Sequence, residues 1–366
     1  MATQSLPRTT ESIALDVLET AEQAASRWRV HPMAAYLARR LGLYVLTLWG
    51  AFTASFIFFR LIPGDPINAI VADLARQGQY STQGSSEEIV AYYKKTFGLD
   101  GSLFEQYVRY MDRLILHLDF GPSIISYPIP ATTIIMRALP WTLGLLGTAT
   151  LLGWIIGIIV GTFVGRSRTS RIANAVTNVC LVLSHVPAYF VALALVYVLA
   201  YRSPVFPPNS AYDAKLDPGF SWDFIVSVVK HGFLPVLATV LVGAAGWLIT
   251  TRALVVNVLG EDYLTFAEAK GLSPWRVLNR YVMRNAWLPQ IAALGIALGG
   301  VVNGNILIER LFRYPGVSNL FIDAISRKDV NTAQGIIALF IFGVLTFNLI
   351  IDLALPLLDP RVKHTR

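Results

Sequence analysis

Long uninterrupted apolar runs alternate along this chain with polar connectors. The runs show neither the period of two of a half-buried strand nor the single narrow stripe of a surface helix. Six of them, at about 41–62, 138–165, 172–201, 233–251, 286–308 and 334–357, reach the roughly 20 residues a helix needs to cross a bilayer. Lipid offers backbone groups no partners, so each run is expected to be a helix that bonds internally. The pattern predicts an all-α polytopic integral membrane protein with six transmembrane helices. An even number of crossings puts both termini on one side.

The connectors carry their own patterns. The stretch from 63 to 137 is too long for a simple link. Within it, Ser85 with Glu88 and Ser102 with Glu105 form S-x-x-E boxes ahead of apolar residues at helical spacing, predicting a pair of amphipathic helices. The connector RSPVFPPNSAYDAKLDPGFSWDF, rich in Pro and turn residues, reads as an ordered loop. Near the start, Ile13, Val17, Ala21, Ala25 and Trp28 recur at helical spacing before Pro32. That predicts a short amphipathic helix over 10–31, either lying on lipid or merely ordering the terminus. The chain therefore divides into an N-terminal extension, 1–32, and a transmembrane domain, 33–366.

Composition sharpens this picture. Of 366 residues, 54% are hydrophobic and 14% charged, and the mean hydropathy is +0.54, outside the usage of an ordinary soluble domain. Arg39 and Arg40 precede the first run, and Arg166, Arg168 and Arg171 fill the turn between the second and third. Arg252, Lys270, Arg276, Arg280 and Arg284 lie between the fourth and fifth, and Arg361, Lys363 and Arg366 close the chain. The intervening loops balance their bases with Asp100, Glu105, Asp112, Asp119, Asp213, Asp217 and Asp223. The positive-inside rule places both termini in the cytoplasm, making 63–137 extracytoplasmic and 252–285 cytoplasmic. Topology accounts for the net charge of +7 without any nucleic acid partner. The one cysteine, Cys180, allows no disulfide within the chain and reads as a small apolar filler.

Gly153, Gly157, Gly161 and Gly165 recur at a spacing of four in the second run, and Gly295 with Gly299 and Gly300 with Gly304 repeat the device in the fifth. Such stripes let another backbone approach closely, whether a neighbouring helix or a second subunit; the alternative is a kink or hinge. Polar residues within the runs mark where a pathway would lie: His185, Asn303 and Asn305, with Glu309 and Asp352 near span ends, where both are expected to snorkel. His185, followed by Pro187, reads either as lining a pathway or as an ordinary hydrogen-bonded helix histidine. The sequence lacks G-x-x-x-x-G-K-[ST], H-E-x-x-H, G-x-S-x-G and paired cysteines. It therefore offers no constellation for binding ATP through a P-loop, for hydrolysis or for redox work, and neither a bound cofactor nor a metal is expected.

One polar stretch, DYLTFAEAKGLSPWRVLNRYVMRN at 262–285, stands apart. Good helix formers run to Lys270 and stop at Gly271, suited to the left-handed turn that ends a helix. Ser273 then offers an N-cap with Pro274 at the first helical position. Helix, sharp turn, helix is the expectation. In the second helix, Arg276, Arg280 and Arg284 form a charged stripe, and Trp275, Leu278 and Val282 an apolar one. Two readings fit: docking in a groove of a soluble partner, or lying on anionic headgroups.

The stretch from Asp262 to Pro289 resembles the EAA loop of ATP-binding-cassette importer permeases, in the form used by the dipeptide, oligopeptide and nickel branch. Further pieces resemble that branch in the same order: YLARRLGLYVLTLWG leading to RLIPGDP (60–66), FGLDGSLFEQY (97–107), DFGPSI (119–124), RALPWTLGL (137–145), SHVPAYF (184–190), RYPGVSNLFIDAI (313–325) and NLIIDLALPLLDPRVK (348–363). The similarity runs from about Met33 to Lys363. It implies the type I permease fold in the inner membrane of a prokaryote. It also implies import of peptides delivered by an extracytoplasmic binding protein, or in this branch of nickel or oligosaccharides.

The implied partners are a second homologous permease, two ATPase subunits that carry ATP and Mg, and the surrounding lipid. Carried over by position, the residues that seat the loop in the ATPase are Asp262, Tyr263, Ala267, Ala269, Gly271 and Arg276. Thr265 and Phe266 depart from the Glu and Ala of the general consensus, and the 32-residue extension has no counterpart in the usual short start of the branch. An ion-coupled carrier would need midplane acids or an internal repeat, and a membrane enzyme would need clustered catalytic groups; the sequence shows neither.

Overall fold

The computed structural model describes residues 32–61, 86–124, 126–167 and 169–358. Among these residues there are helices and loops but no strand beyond one isolated bridge, Pro122 with Pro130. The expected helix over 10–31, Ser85 of the first capping box, Arg168 and the basic C-terminal residues lie outside the described residues. The chain falls into two units, Met1–Gly50 and Ala51–Arg366. In the first, the described residues are the leading part of helix α1, Pro32–Leu61.

The second unit begins with the rest of α1. In the following segment, α2 spans Ser86–Thr96 and α3 Leu103–Asp112, continued by a wider turn to His117. The predicted box at α3 is present. Ser102 Oγ accepts from Glu105 N at 3.3 Å, and Glu105 Oε2 accepts from Ser102 N at 2.7 Å. Tyr107 and Tyr110 of α3 pack on Phe56 of α1, and Tyr107 shares a 2.8 Å hydrogen bond with Thr53. Thr53 lies eight residues before the end of α1, a drop of about 12 Å along the helix. Helix α3 therefore lies beside the body of the first span rather than above it.

Helix α4, Ala131–Arg166, is followed by α5, Arg171–His185, and α6, Ala188–Val196 with a wide turn to Arg202. One continuous span was expected over 172–201, but α5 and α6 meet at a bend of 97°. Pro187 is the cause. A proline forces the residue before it out of the helical region, and Val186 is extended at φ −79, ψ 123.

Helix α7 runs Trp222–Val258. Then come α8, Asp262–Ala269, and α9, Pro274–Val277, which passes through a wide turn at Leu278–Val282 into α10, Met283–Val301. The fifth span was expected to reach 308, but α10 stops at Val301 and its apolar part is Pro289–Val301. Gly304 turns the chain at φ +71, and a Cβ there would collide with Ser318 Oγ. The chain restarts as α11, Ile306–Leu311, then α12, Val317–Ser326, and ends with α13, Val330–Leu358. Among the described residues, four helices are long and apolar enough to cross a membrane, or five when the bent pair counts as one.

Helices α4 and α7 form the centre and run parallel. Ideal Cβ atoms built on Gly153, Gly161 and Gly165 would sit 3.4 Å from Ala244 N, 2.7 Å from Leu248 O and 2.9 Å from Val255 Cβ. The glycine stripe is thus spent on a neighbour in the same chain. Gly157 fits the same seam against Trp247 and Ala244. Gly295 and Gly299 likewise face Ile351 and Phe347 of α13, at 3.1 and 2.7 Å.

Candidate coupling hairpin

The chain from Glu261 to Asn285 folds back on the end of α7. Leu264, Ala267, Val277, Leu278, Val282 and Ala286 are buried in one cluster with Val255, and Leu254, Val258, Leu259 and Leu272 pack around it. Helix α8 ends in a Schellman motif: Gly271 N donates to Glu268 O at 2.8 Å, and Leu272 N to Ala267 O at 3.3 Å. That geometry needs a left-handed residue, which Gly271 supplies at φ +71. The Leu272 side chain then folds back onto the cluster, pinning the turn.

Helix α9 starts as expected with Pro274 in its first turn, but Ser273 makes no side-chain cap bond. The missing cap costs little, because Pro274 has no N–H to satisfy and Ser273 O already accepts from Arg276 N and Val277 N at 2.9 and 3.0 Å. On the exposed side the two arms of the hairpin are tied together by Asn285 Nδ2 donating to Tyr263 Oη at 2.7 Å.

These contacts sort the expected coupling residues. Asp262, Tyr263, Ala269, Gly271 and Arg276 lie on the exposed side, as do Arg280 and Arg284 of the charged stripe. Ala267 does not: it is buried under the hairpin, where it holds α8 to α7 rather than offering a surface. The apolar stripe also changes membership. Leu278 and Val282 are buried, while Trp275 is 55% exposed and stacks on Phe163 of α4 with ring centroids 6.4 Å apart. The wide turn at Leu278–Val282 breaks the simple helical period that had joined the three. Phe266, singled out only as a departure, is 70% exposed and is the most prominent apolar side chain of the hairpin.

The polar residues placed on a pathway are not gathered into one site. His185 Nδ1 lies 2.7 Å from Leu181 O and 3.2 Å from Ser184 Oγ, at the bend between α5 and α6. Asn305 caps α11 by accepting from Ile308 N at 3.2 Å, and Asn303 O accepts from Ser318 Oγ at 3.1 Å. No hydrogen bond joins His185 to either asparagine among the described residues. Glu309 departs most from expectation: it is 0% exposed instead of snorkelling. Its Oε1 accepts from Thr142 Oγ1 at 2.9 Å and its Oε2 from Asn319 N at 3.1 Å. No sequence signal marks it apart from the PG turn that follows, whose Gly316 leaves α12 without a side-chain cap.

Apolar helices shaped for lipid and one rigid, amphiphilic projection at their end define a membrane subunit. The sequence model of the binding-protein-dependent transport system inner membrane components matches residues 153–364, and the chain belongs to that family. It is a membrane-embedded transport subunit and not an enzyme. Its family implies work with a substrate-binding protein and an ATPase. Curated relatives are similar along nearly their whole length. The chain is 28% identical over 332 residues to the oligopeptide transport system permease protein AppB of Bacillus subtilis, covering 91% of this chain and 100% of the relative. It is 29% identical over 347 residues to a di/tripeptide transport system permease protein of Pseudomonas aeruginosa, covering 91% and 100%. Over 350 residues it is 28% identical to the dipeptide transport system permease protein DppB of Escherichia coli, again covering 91% and 100%.

Proposed function

We propose that this chain is one of two homologous permeases of an ATP-driven importer for di- or oligopeptides, with both termini in the cytoplasm and six crossings of the inner membrane. In this reading the bent pair α5–α6 and the short α10 complete the count. Two ATPase subunits carry the ATP and Mg, and a binding protein delivers the peptide on the far side. The observation that carries the mechanism is the hairpin's two-sided construction. Its base is buried against α7 and stacked on α4, while Phe266, Ala269, Gly271 and Arg276 face outward. A groove closing on that outer face would move α7 and α10 together, because both are continuous with the hairpin.

Peptide as cargo is supported by what the relatives are named for carrying. The test is reconstitution of the full chain with its co-expressed neighbours in proteoliposomes. Labelled dipeptide is expected to accumulate only with ATP and binding protein. Uptake that follows a proton or sodium gradient and ignores ATP defeats the proposal. Accumulation of nickel or an oligosaccharide in place of peptide reassigns the cargo. A cysteine at Ala269 is expected to cross-link to an ATPase subunit, and cross-links to lipid alone would remove the hairpin from the mechanism.

A further inference from the structure

A small cavity of about 30 Å³ lies where the end of α1, the segment around α3 and the start of α13 meet. Three arginines line it, Arg60, Arg109 and Arg113, and Asp119 contributes the opposing carboxylate. Arg109 is already paired with Asp100, whose carboxyl that hydrogen bond holds below its ordinary pKa. Asp119 Oδ1 is occupied by Gly121 N at 2.9 Å. Arg60 Nε is buried and makes no hydrogen bond, and its guanidinium carbon lies over the Phe56 ring, 5.1 Å from the centroid. The Gln334 amide, 5% exposed, also lines the cavity with Nε2 unpartnered. Arg113 is held between two left-handed glycines: ideal Cβ atoms on Gly98 and Gly121 would lie 3.5 and 3.6 Å from its Nη1.

The Tyr110 hydroxyl, which also lines the cavity, is unpartnered as well, so each unmet group can donate, and among the described residues no carboxylate pairs with Arg60 or Arg113. Buried polar groups are ordinarily bonded, and the half-buried guanidiniums of Arg60 and Arg113 beside them favour an anion. A water-sized probe needs about 10–15 Å³, so the space admits roughly two waters or one monatomic anion. It is too small for a phosphate or a peptide.

We propose that this cavity binds one small anion, a halide or a carboxylate no larger than formate, between the guanidiniums of Arg60 and Arg113 and the amide of Gln334. The anion would tie the first span, the segment between the first two spans and the last span into one body, independently of what the importer carries.

The test uses the full chain purified in detergent with its copurifying subunits and held in sodium gluconate, whose anion is too large for the cavity. Sodium bromide or sodium formate is added at constant ionic strength, and the melting temperature is read by intrinsic fluorescence. Bromide is expected to raise it saturably. A matching rise with formate assigns a site that also takes carboxylates, and a rise with bromide alone assigns a halide site. Arg113→Gln is expected to abolish the rise. Gln334→Glu, which places a carboxylate at the cavity wall, is expected to melt higher than wild type in gluconate and to ignore bromide. No bromide-specific rise in the wild type overturns the proposal, and so does Gln334→Glu responding to bromide as the wild type does.

Discussion

Thr142 and Glu309, 167 positions apart, share a buried 2.9 Å hydrogen bond that closes the far end of the helix bundle. The same Thr142 Oγ1 accepts from Val317 N at 2.8 Å while Glu309 Oε2 accepts from Asn319 N. Helix α12 begins at Gly316, which has no side chain to cap it. The first turn of α12 is therefore capped from two other helices, and the carboxylate sits where the helix dipole favours negative charge.

Glu309→Ala is expected to be strongly destabilising, because it strands Asn319 N–H and the Thr142 hydroxyl in the interior. Each orphan costs about 1–3 kcal/mol. Glu309→Gln keeps one acceptor oxygen and is expected to lose roughly half as much. Thermal unfolding followed by size exclusion in detergent checks the order wild type, Gln, Ala. An alanine variant as stable as wild type would mean that α12 does not depend on this cap.

The bond from Asn285 to Tyr263 stands at the open side of the hairpin, where both side chains are exposed. Tyr263→Phe removes it without disturbing the buried cluster. The expected loss in stability is small, about 0.5–1.5 kcal/mol, and confined to α8. Faster amide exchange over Asp262–Ala269, with the rest of the protein unchanged, is the expected signal.

Gly271 separates two causes of lost transport. Its φ of +71 disfavours any residue with a Cβ, yet an ideal Cβ there meets nothing within 4 Å. Asn, which tolerates the left-handed region, is expected to keep most ATP-driven uptake. Ala is expected to lose part of it through a strain of about 1 kcal/mol. Arg is expected to abolish it while the protein still inserts, since its bulk projects only into space a partner would occupy. Equal uptake by the Asn and Arg variants would show that nothing docks at the turn.

What the sequence made legible was local chemistry. The Gly271 stop, Pro274 in the first turn, the Ser102–Glu105 box and the glycine stripe each express a rule acting within a few residues, and each is found. Features set by contacts distant in sequence were not legible. The run 172–201 is apolar throughout, so hydropathy read across the bend that Pro187 imposes. Glu309 looked like a residue that would snorkel because its two partners, Thr142 and Asn319, come from two other helices. Trp275 changed faces because a wide turn, invisible to a fixed period, follows it.

The close approach of α4 and α7 offers a controlled comparison within one helix. At Gly161 an added Cβ would sit 2.7 Å from Leu248 O and 2.8 Å from Thr251 Cβ, so even alanine must push the two backbones apart. At Gly147, about four helical turns earlier on α4, a Cβ meets nothing within 4 Å. Gly147→Ala is expected to be neutral or slightly stabilising in melting temperature, since alanine is the better helix former. Gly161→Ala is expected to cost about 1–3 kcal/mol and to reduce transport, because the displaced end of α7 carries the hairpin. Equal melting temperatures for the two variants would show that the seam is loose enough to breathe, and the rigid link from hairpin to spans would have to be sought in α10 instead.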